Sequence, residues 1–434
     1  FKVAIGKAEI NNKENKVIPY EMVLKSIAST RELVERILPE GEIESLKIGA
    51  KAIEEVVKES IEKVAEGLPV IGHHFAFQRE YLYCFDCIPI CIEGTSYLLS
   101  ALLPDGVERY YDLMLSWGHP FHTCSSQRGI MGMTLEDLFK FDAIITPTAP
   151  CDNTFASYPF FAYKDVPLII PDLPYLHEEK SYVYYGKQLR SSLEELGKII
   201  GQEPDYDRMR KHIELENETH NYQLELLELR KAKPCPVENM FNAIAAGVSV
   251  FASGSPQKLD FYREYLEIAK KRYKEKQEYG KEEKIRSIWP YMLIFFDLSL
   301  CEYLDREIGM SILFDIFNYN FYDTVRTSEG LDVLFHDMAK RGMNYPMMKE
   351  STEFFYPFIE NCIQMAKDYS ADCFIFTSHI GCKQFGSVPQ VLREALREEV
   401  GIPMLTIDVD VGDKRFTSMK VIRDKLNMFA KTLL

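Results

Sequence analysis

Cysteine is the residue whose placement decides what chemistry this chain can do, and there are ten of them in 434 residues. A thiolate is both a nucleophile and a soft metal ligand, so the surroundings of each one matter. Three fall in turn-rich segments. Cys124 lies in GHPFHTCSSQRG, just before an expected helix; Cys151 directly follows FDAIITPTAP and precedes Asp152-Asn153; Cys382 lies in SHIGCKQ, after the apolar run CFIFTS. In open α/β sheets ligands bind outside the carboxyl ends of the strands, so three loop cysteines of this kind point to a shared site. Cys373, opening a strand, Cys362, within a helix, and Cys91 read as core thiols, and Cys235, between two prolines, as structural. Cys84, Cys87 and Cys301 stay open between core and site. Cys84-Phe85-Asp86-Cys87 has CxxC spacing but lacks the second close pair that a zinc site of this type needs.

Other groups offer less. His73, His74, His119 and His122 lie near expected loops of the first half and can carry protons near neutral pH, although packing or hydrogen bonding explains each more simply. Asp408 and Asp410, closing the last expected strand, suit supporting or helix-capping roles. Neither GxxxxGKS/T nor GxGxxG occurs, and GxSxG is absent, so neither a phosphate cradle nor an α/β-hydrolase nucleophile can be named. Gly129 and Gly132 in GIMGMT read as a helix start or packing glycines.

The elements that must hold these residues follow from periodicity. Residues 20 to 67 repeat apolar positions at helical spacing, as at Met22, Val23, Ile27, Leu33, Val34 and Ile37, and predict an N-terminal helical cap. Short apolar runs then end in turn residues: PVIGHHF, IPICIEG, FDAIITPTAP and VPLIIPDLP. Helical stretches between them predict a parallel sheet. From about Leu189 the chain reads as helical, broken at Lys233-Pro234-Cys235-Pro236 and at ASGSPQ, and closing on the Lys/Glu-rich YKEKQEYGKEEK, a solvated helix face or linker. A second set of strands is expected in PYMLIFFDLSL, ADCFIFTS and GIPMLTIDVD. The expectation is an α/β protein with two Rossmann-like domains and small parallel sheets: residues 1–66 an N-terminal helical region, 67–188 a first α/β domain, 189–285 a helical segment and 286–434 a second α/β domain.

Composition narrows the partners. At 46% apolar and 27% charged residues the chain is of ordinary folded type. With 51 Lys+Arg against 66 Asp+Glu its net charge is −15, which argues against nucleic acid. No apolar run reaches the roughly 18 residues of a membrane span; the richest, Tyr291 to Phe296, stops at Asp297. The first residues, FKVAIGKAEINNKENK, lack the apolar core of a secretory signal, so a reducing cytoplasmic setting is expected, where thiols or metal ligands are favoured over disulfides.

Six segments, in order, resemble the benzoyl-CoA reductase/2-hydroxyacyl-CoA dehydratase family, and within it the B/D-type iron–sulfur subunit: EYLYCFDCIP, CSSQRGIMG, FDAIITPTAPCDN, VPLIIPDLPY, SHIGCKQF and GIPMLTIDVDVGDKRF. The resemblance runs over most of the chain from about Pro69. It implies a [4Fe-4S] cluster held by three thiolates, carried over to Cys124, Cys151 and Cys382. It implies a separate ATP-hydrolysing iron–sulfur activator as electron donor, a related α/β sister subunit or a second copy as partner, and an acyl-CoA thioester as substrate. The electron passed to the thioester would form a ketyl-type radical anion, leading to dehydration or to reduction of an aromatic ring, so both lyase and oxidoreductase are expected classes. A missing phosphate loop fits a division of labour with such an activator. One branch of the family carries a double-cubane cluster of about six thiolates; residues 302–361 contain no cysteine, and Cys84, Cys87 and Cys301 would have to supply the extra ligands. A non-catalytic subunit giving only architecture is the contrasting expectation.

Overall fold

A computed structural model describes residues 14–37, 43–103, 106–276, 279–280, 282–318 and 321–434. Helices α1 (Glu14–Ile37) and α2 (Glu44–Glu66) open it and pack together. On α2 the residues Ile53, Val56, Val57 and Val64 are buried along one stripe, at the three- and four-residue spacing that brings side chains to one face. Gly67, at φ 87°, ends this helix in the left-handed conformation that glycine adopts without a Cβ clash. The side chains of Leu33, Val34 and Ile37 lie outside the described residues, as do residues 1–13, with most of the segment read for a signal, and Gln277, Glu278 and Lys281 of the Lys/Glu-rich stretch.

The first sheet joins β1 (Val70–His73), β2 (Ile88–Cys91), β3 (Ala143–Ile145) and β4 (Leu168–Ile169), all parallel, in the order β2-β1-β3-β4. Between β2 and β3 come α3 (Ile92–Leu102), α4 (Glu108–Ser116) and α5 (Ser125–Leu135), and α6 (Asp152–Tyr163) links β3 to β4. Four helices follow: α7 (Glu179–Ile200), α8 (Tyr206–Leu229), α9 (Met240–Ala252) and α10 (Pro256–Glu275). Helix starts earlier here than the sequence reading had it, and an additional break falls at residues 201–205. Gly201 closes α7 at φ 69°, and the Asp205 carboxylate accepts the Arg208 N–H at 2.9 Å to cap α8.

The second sheet joins β5 (Ile285–Trp289), β6 (Met310–Asp315), β7 (Cys373–His379) and β8 (Met404–Val409), again parallel, in the order β6-β5-β7-β8. Its helices are α11 (Ser299–Tyr303), α12 (Leu331–Met343), α13 (Tyr356–Asp368), α14 (Lys383–Gly386), α15 (Pro389–Glu399) and α16 (Met419–Leu433). Both sheets place their strands second, first, third, fourth, so the chain repeats one Rossmann-like topology, as the α/β reading expected. One apolar core runs from α2 and the first sheet through α9 and α10 into the second sheet. Among the described residues no helix is long and apolar enough to cross a membrane.

Two strands correct the sequence reading. PYMLIFFDLSL is not the first strand of the second sheet; that strand is β5, which stops before Pro290, a residue with no N–H to give a ladder. Arg286 disguised β5 by its charge. It is buried, and its guanidinium donates to the carbonyls of Tyr369, Ala232 and Arg230 and to Glu283, at 2.7–3.1 Å. The run Tyr291–Phe296 is instead a non-strand segment following β5, buried through Ile294 and half-buried at Phe295 and Phe296. Strand β6, MSILFD, was not foreseen at all.

Candidate functional site

Cys124, Cys151 and Cys382 occupy the same kind of position: each is the residue immediately before a helix, α5, α6 and α14 respectively. Cys151 follows β3 and Cys382 follows β7, the third strand of either sheet, so these two hold equivalent places in the repeated topology. Strand order reverses beside the first and third strands, which is where open α/β sheets bind ligands. Cys124 comes in from α5. All three border one cavity of about 280 Å³ between the two sheets, closed on another side by α1, α2 and α9.

Asn153, two residues after Cys151, ties the three cysteine loops together. Its Oδ1 accepts the Cys124 N–H at 3.0 Å, and its Nδ2 donates to the Gly381 carbonyl at 2.7 Å. Gly381 can be nothing larger. A Cβ there would lie 2.6 Å from Cys124 Cα and 2.9 Å from Cys124 N, so the absence of a side chain lets the SHIGC loop close on the first half.

The electrostatics distinguish the three sulfurs. His379 Nε2 and the Tyr97 hydroxyl each stand 3.4 Å from Cys124 Sγ. Burial alone would raise the Cys124 thiol, but the His379 charge and the hydrogen bonds from His379 and Tyr97 outweigh it and bring the thiol below its ordinary value. The N-terminus of α5 favours the same anion. Cys151 moves the other way, held well above the usual thiol range by burial and by the neighbouring Cys124 and Cys382. Burial pushes Cys382 up to about 11. Behind His379 stands Asp410, its Oδ1 3.8 Å from His379 Nδ1. Asp410 accepts from Ser125 Oγ at 2.5 Å, from the Gly412 N–H at 3.0 Å and from Arg128 Nη2 at 3.3 Å. Among the described residues no three His, Cys, Asp or Glu side chains are gathered closely enough to share one metal ion.

Beside the cysteines the wall carries Glu93, which burial pushes up to about 8. Its carboxyl accepts from Gln127 Nε2 at 2.7 Å and from the Phe75 N–H at 3.1 Å. Gln127 Oε1 and Ser126 Oγ, on the same wall, are buried without a hydrogen-bond partner.

The other sequence candidates lie elsewhere. Cys84 and Cys87 flank the turn into β2 and are buried; Cys301, read as ending a strand beside the cleft, is a core residue of α11, and none of the three borders the cavity. Nor do His73, His74, His119 or His122. Burial lowers His73 to about 4 and His74 to about 3, which keeps both neutral in the core behind β1. Asp408 is exposed, and of the two aspartates only Asp410 reaches the site. His379, Asn153 and Glu93 were not singled out by sequence reasoning. All three lie within three residues of a cysteine, Glu93 as the lone acid of IPICIEG two positions after Cys91, which was the available signal.

Residues 76–433 match the family described as 2-hydroxyglutaryl-CoA dehydratase, D-component. The chain is also similar to the (R)-phenyllactyl-CoA dehydratase alpha subunit of Clostridium sporogenes, at 24% identity over 271 residues, which are 58% of this chain and 60% of that protein. That similarity therefore spans less than two thirds of the relative's length. The family match, by contrast, runs from the loop after β1 to the end of α16 and takes in all three cysteine loops, and the chain belongs to the 2-hydroxyglutaryl-CoA dehydratase D-component family.

Proposed function

We propose that this chain is a component of a 2-hydroxyacyl-CoA dehydratase and that Cys124, Cys151 and Cys382 together hold a [4Fe-4S] cluster. The observation that carries the reading is the convergence of three cysteine loops, bound to one another through Asn153, on a single cavity. The donor set suits the group. In a cubane each thiolate takes its own iron, so its ligands need not crowd as the ligands of a single ion do. Three thiolates also leave one iron without a protein ligand, the arrangement that separates reactive from purely structural metal sites. When bound, such a group supplies low-potential one-electron chemistry.

The chain's own residues would do the rest. Cys151 and Cys382, held protonated in its absence, would give up their protons on ligation. His379 and Tyr97 hydrogen-bond the Cys124 sulfur and tune it. Apolar walls keep water from the site. Glu93 carries a proton at the cavity wall below about pH 8 and is placed to hydrogen-bond a substrate oxygen. The reaction class is then removal of a hydroxyl group from an acyl thioester, a lyase reaction, with ring reduction of the benzoyl-CoA reductase type as the related oxidoreductase chemistry. The partners in this reading are a sister α/β subunit or a second copy and an ATP-hydrolysing activator as electron donor.

Anaerobic reconstitution with iron and sulfide tests it. About four irons per chain and a brown protein are expected, with iron lost in Cys124→Ser, Cys151→Ser and Cys382→Ser. About eight irons would select a double-cubane cluster. A colourless protein with all three cysteines still open to alkylation would end the proposal.

A further inference from the structure

We infer that the cavity accepts a bulky, uncharged, apolar acyl group and rejects a dicarboxylic one of the glutaryl kind that the family's description names. The inference rests on the acyl-thioester reading above and deepens it.

The cavity lining is of two kinds. Around the cysteines stand the polar groups: Glu93, and the unpartnered Gln127 Oε1 and Ser126 Oγ, which can meet a hydroxyl or a thioester. Much of the remaining wall is hydrocarbon, with Leu46, Ala50 and Ile53 of α2 and Ile244 and Val250 of α9 beside Gly247. Among the described lining residues there is neither lysine nor arginine. The basic side chain that does line it, His379, faces Cys124 Sγ with one nitrogen and accepts the Val411 N–H with the other. The buried guanidiniums lie outside the lining: Arg128 is held by Asp410, Arg341 by Glu80 and Arg230 by Asn242, while Arg79, on the wall of a smaller adjoining pocket, donates to the Tyr83 hydroxyl.

A second carboxylate on the acyl group would therefore have to shed its water with no lysine or arginine on the described lining to pair it. An unpaired charge in such surroundings is strongly disfavoured, whereas an alkyl or aryl group gains by leaving water. A volume near 280 Å³, part of which the cluster would take, falls short of a whole coenzyme and leaves room for an acyl arm alone. Gly247 marks where the arm runs. A Cβ built there meets only Ile53 Cδ1, at 3.7 Å, so a larger side chain has room to grow and does so toward the cavity that Gly247 lines.

Calorimetric titration of the full chain, reconstituted with iron and sulfide, with non-hydroxylated CoA thioesters separates the outcomes. 4-Methylpentanoyl-CoA and 3-phenylpropanoyl-CoA are expected to bind at least tenfold more tightly than glutaryl-CoA. In Gly247→Leu both should weaken at least tenfold, while propanoyl-CoA binding and iron content stay as in the parent. Equal or tighter binding of glutaryl-CoA overturns the inference and leaves the dehydratase reading standing. Unchanged binding of the bulky thioesters to Gly247→Leu also overturns it. Binding of no thioester at all overturns the dehydratase reading and the inference with it. If the variant fails to fold, the four-thioester series on the parent chain decides.

Discussion

His379 Nε2 stands 3.4 Å from Cys124 Sγ although 255 positions separate the two in the sequence. His379 ends β7 in the second sheet, Cys124 caps α5 of the first half, and the contact joins the halves at the point where the cavity needs a polarised sulfur. The other ring nitrogen accepts the Val411 N–H at 3.4 Å, with the Asp410 carboxylate 3.8 Å away as a neighbouring charge. A carboxylate oriented on the far side of an imidazole makes its facing nitrogen a better partner for an anion.

Unequal thiol reactivity follows from this contact. In the metal-free chain Cys124 lies below the ordinary thiol range while Cys151 and Cys382 lie above it. Alkylation under anaerobic, reducing conditions at pH 7.5 should label Cys124 first, since the thiolate is the reacting species. His379→Ala should slow that labelling at least threefold. Peptide mapping by mass spectrometry reads the order, and labelling of Cys151 or Cys382 ahead of Cys124 would contradict it.

Asn153 is expected to matter for stability beyond its size. Asn153→Ala strips a partner from the Cys124 N–H and from the Gly381 carbonyl, and two such losses amount to about 2 kcal/mol. Asn153→Asp keeps an acceptor for Cys124 but turns a carboxylate oxygen toward the Gly381 carbonyl, so it should not rescue. Denaturant midpoints of the two variants check this; a wild-type midpoint for Asn153→Asp would show that the Gly381 bond contributes nothing.

The meeting of the three cysteine loops was legible because each cysteine falls among turn residues and because their segments resemble one family in order. The two parallel sheets were legible where strands are continuous apolar runs, as in AII of β3 and CFIF of β7. β5 was missed because its Arg286 looks solvent-facing until the carbonyls that receive it are in place, a long-range fact absent from local pattern. Tyr291–Phe296 misled for the converse reason: most of its apolar side chains are buried in the tertiary packing, and Tyr291, Met292 and Phe295 line the cavity without any strand. The repeated strand order lies in topology alone, and His379 and Asn153 gained meaning only once folding brought distant loops together.

Glu350 should weaken the fold as pH rises. Both carboxyl oxygens are buried without a hydrogen-bond partner, and burial pushes the group up to about 8 from its ordinary 4.5. Between these values the folded chain keeps a proton that the unfolded chain has released. Stability from this group is complete below about 4.5 and declines until about 8. Glu350→Gln removes the titration, so at pH 7.5 it should stabilise by roughly 2–3 kcal/mol, with little gain at pH 5. Urea midpoints at the two pH values give the comparison; an equal gap at both would refute the assignment.

Glu216 should act with the opposite sign. It is buried beside Lys258 Nζ and 3.6 Å from Arg341 Nη2, and it also accepts the Gly254 N–H at 3.0 Å. Burial opposes its ionisation, but Lys258 and Arg341 outweigh burial and hold the carboxyl at about 2. With the folded value below the unfolded one, its contribution is present above about 4.5 and is lost as pH falls toward 2. Breaking a buried pair leaves an uncompensated charge, so Glu216→Leu should cost about 3–5 kcal/mol at pH 7 and progressively less in acid. Pairing it with Lys258→Met removes the stranded ammonium and should restore much of that loss. A double variant no more stable than Glu216→Leu would mean that the orphaned Lys258 charge is not what destabilises the single one, and that Arg341, which also binds Glu80, carries the interaction instead.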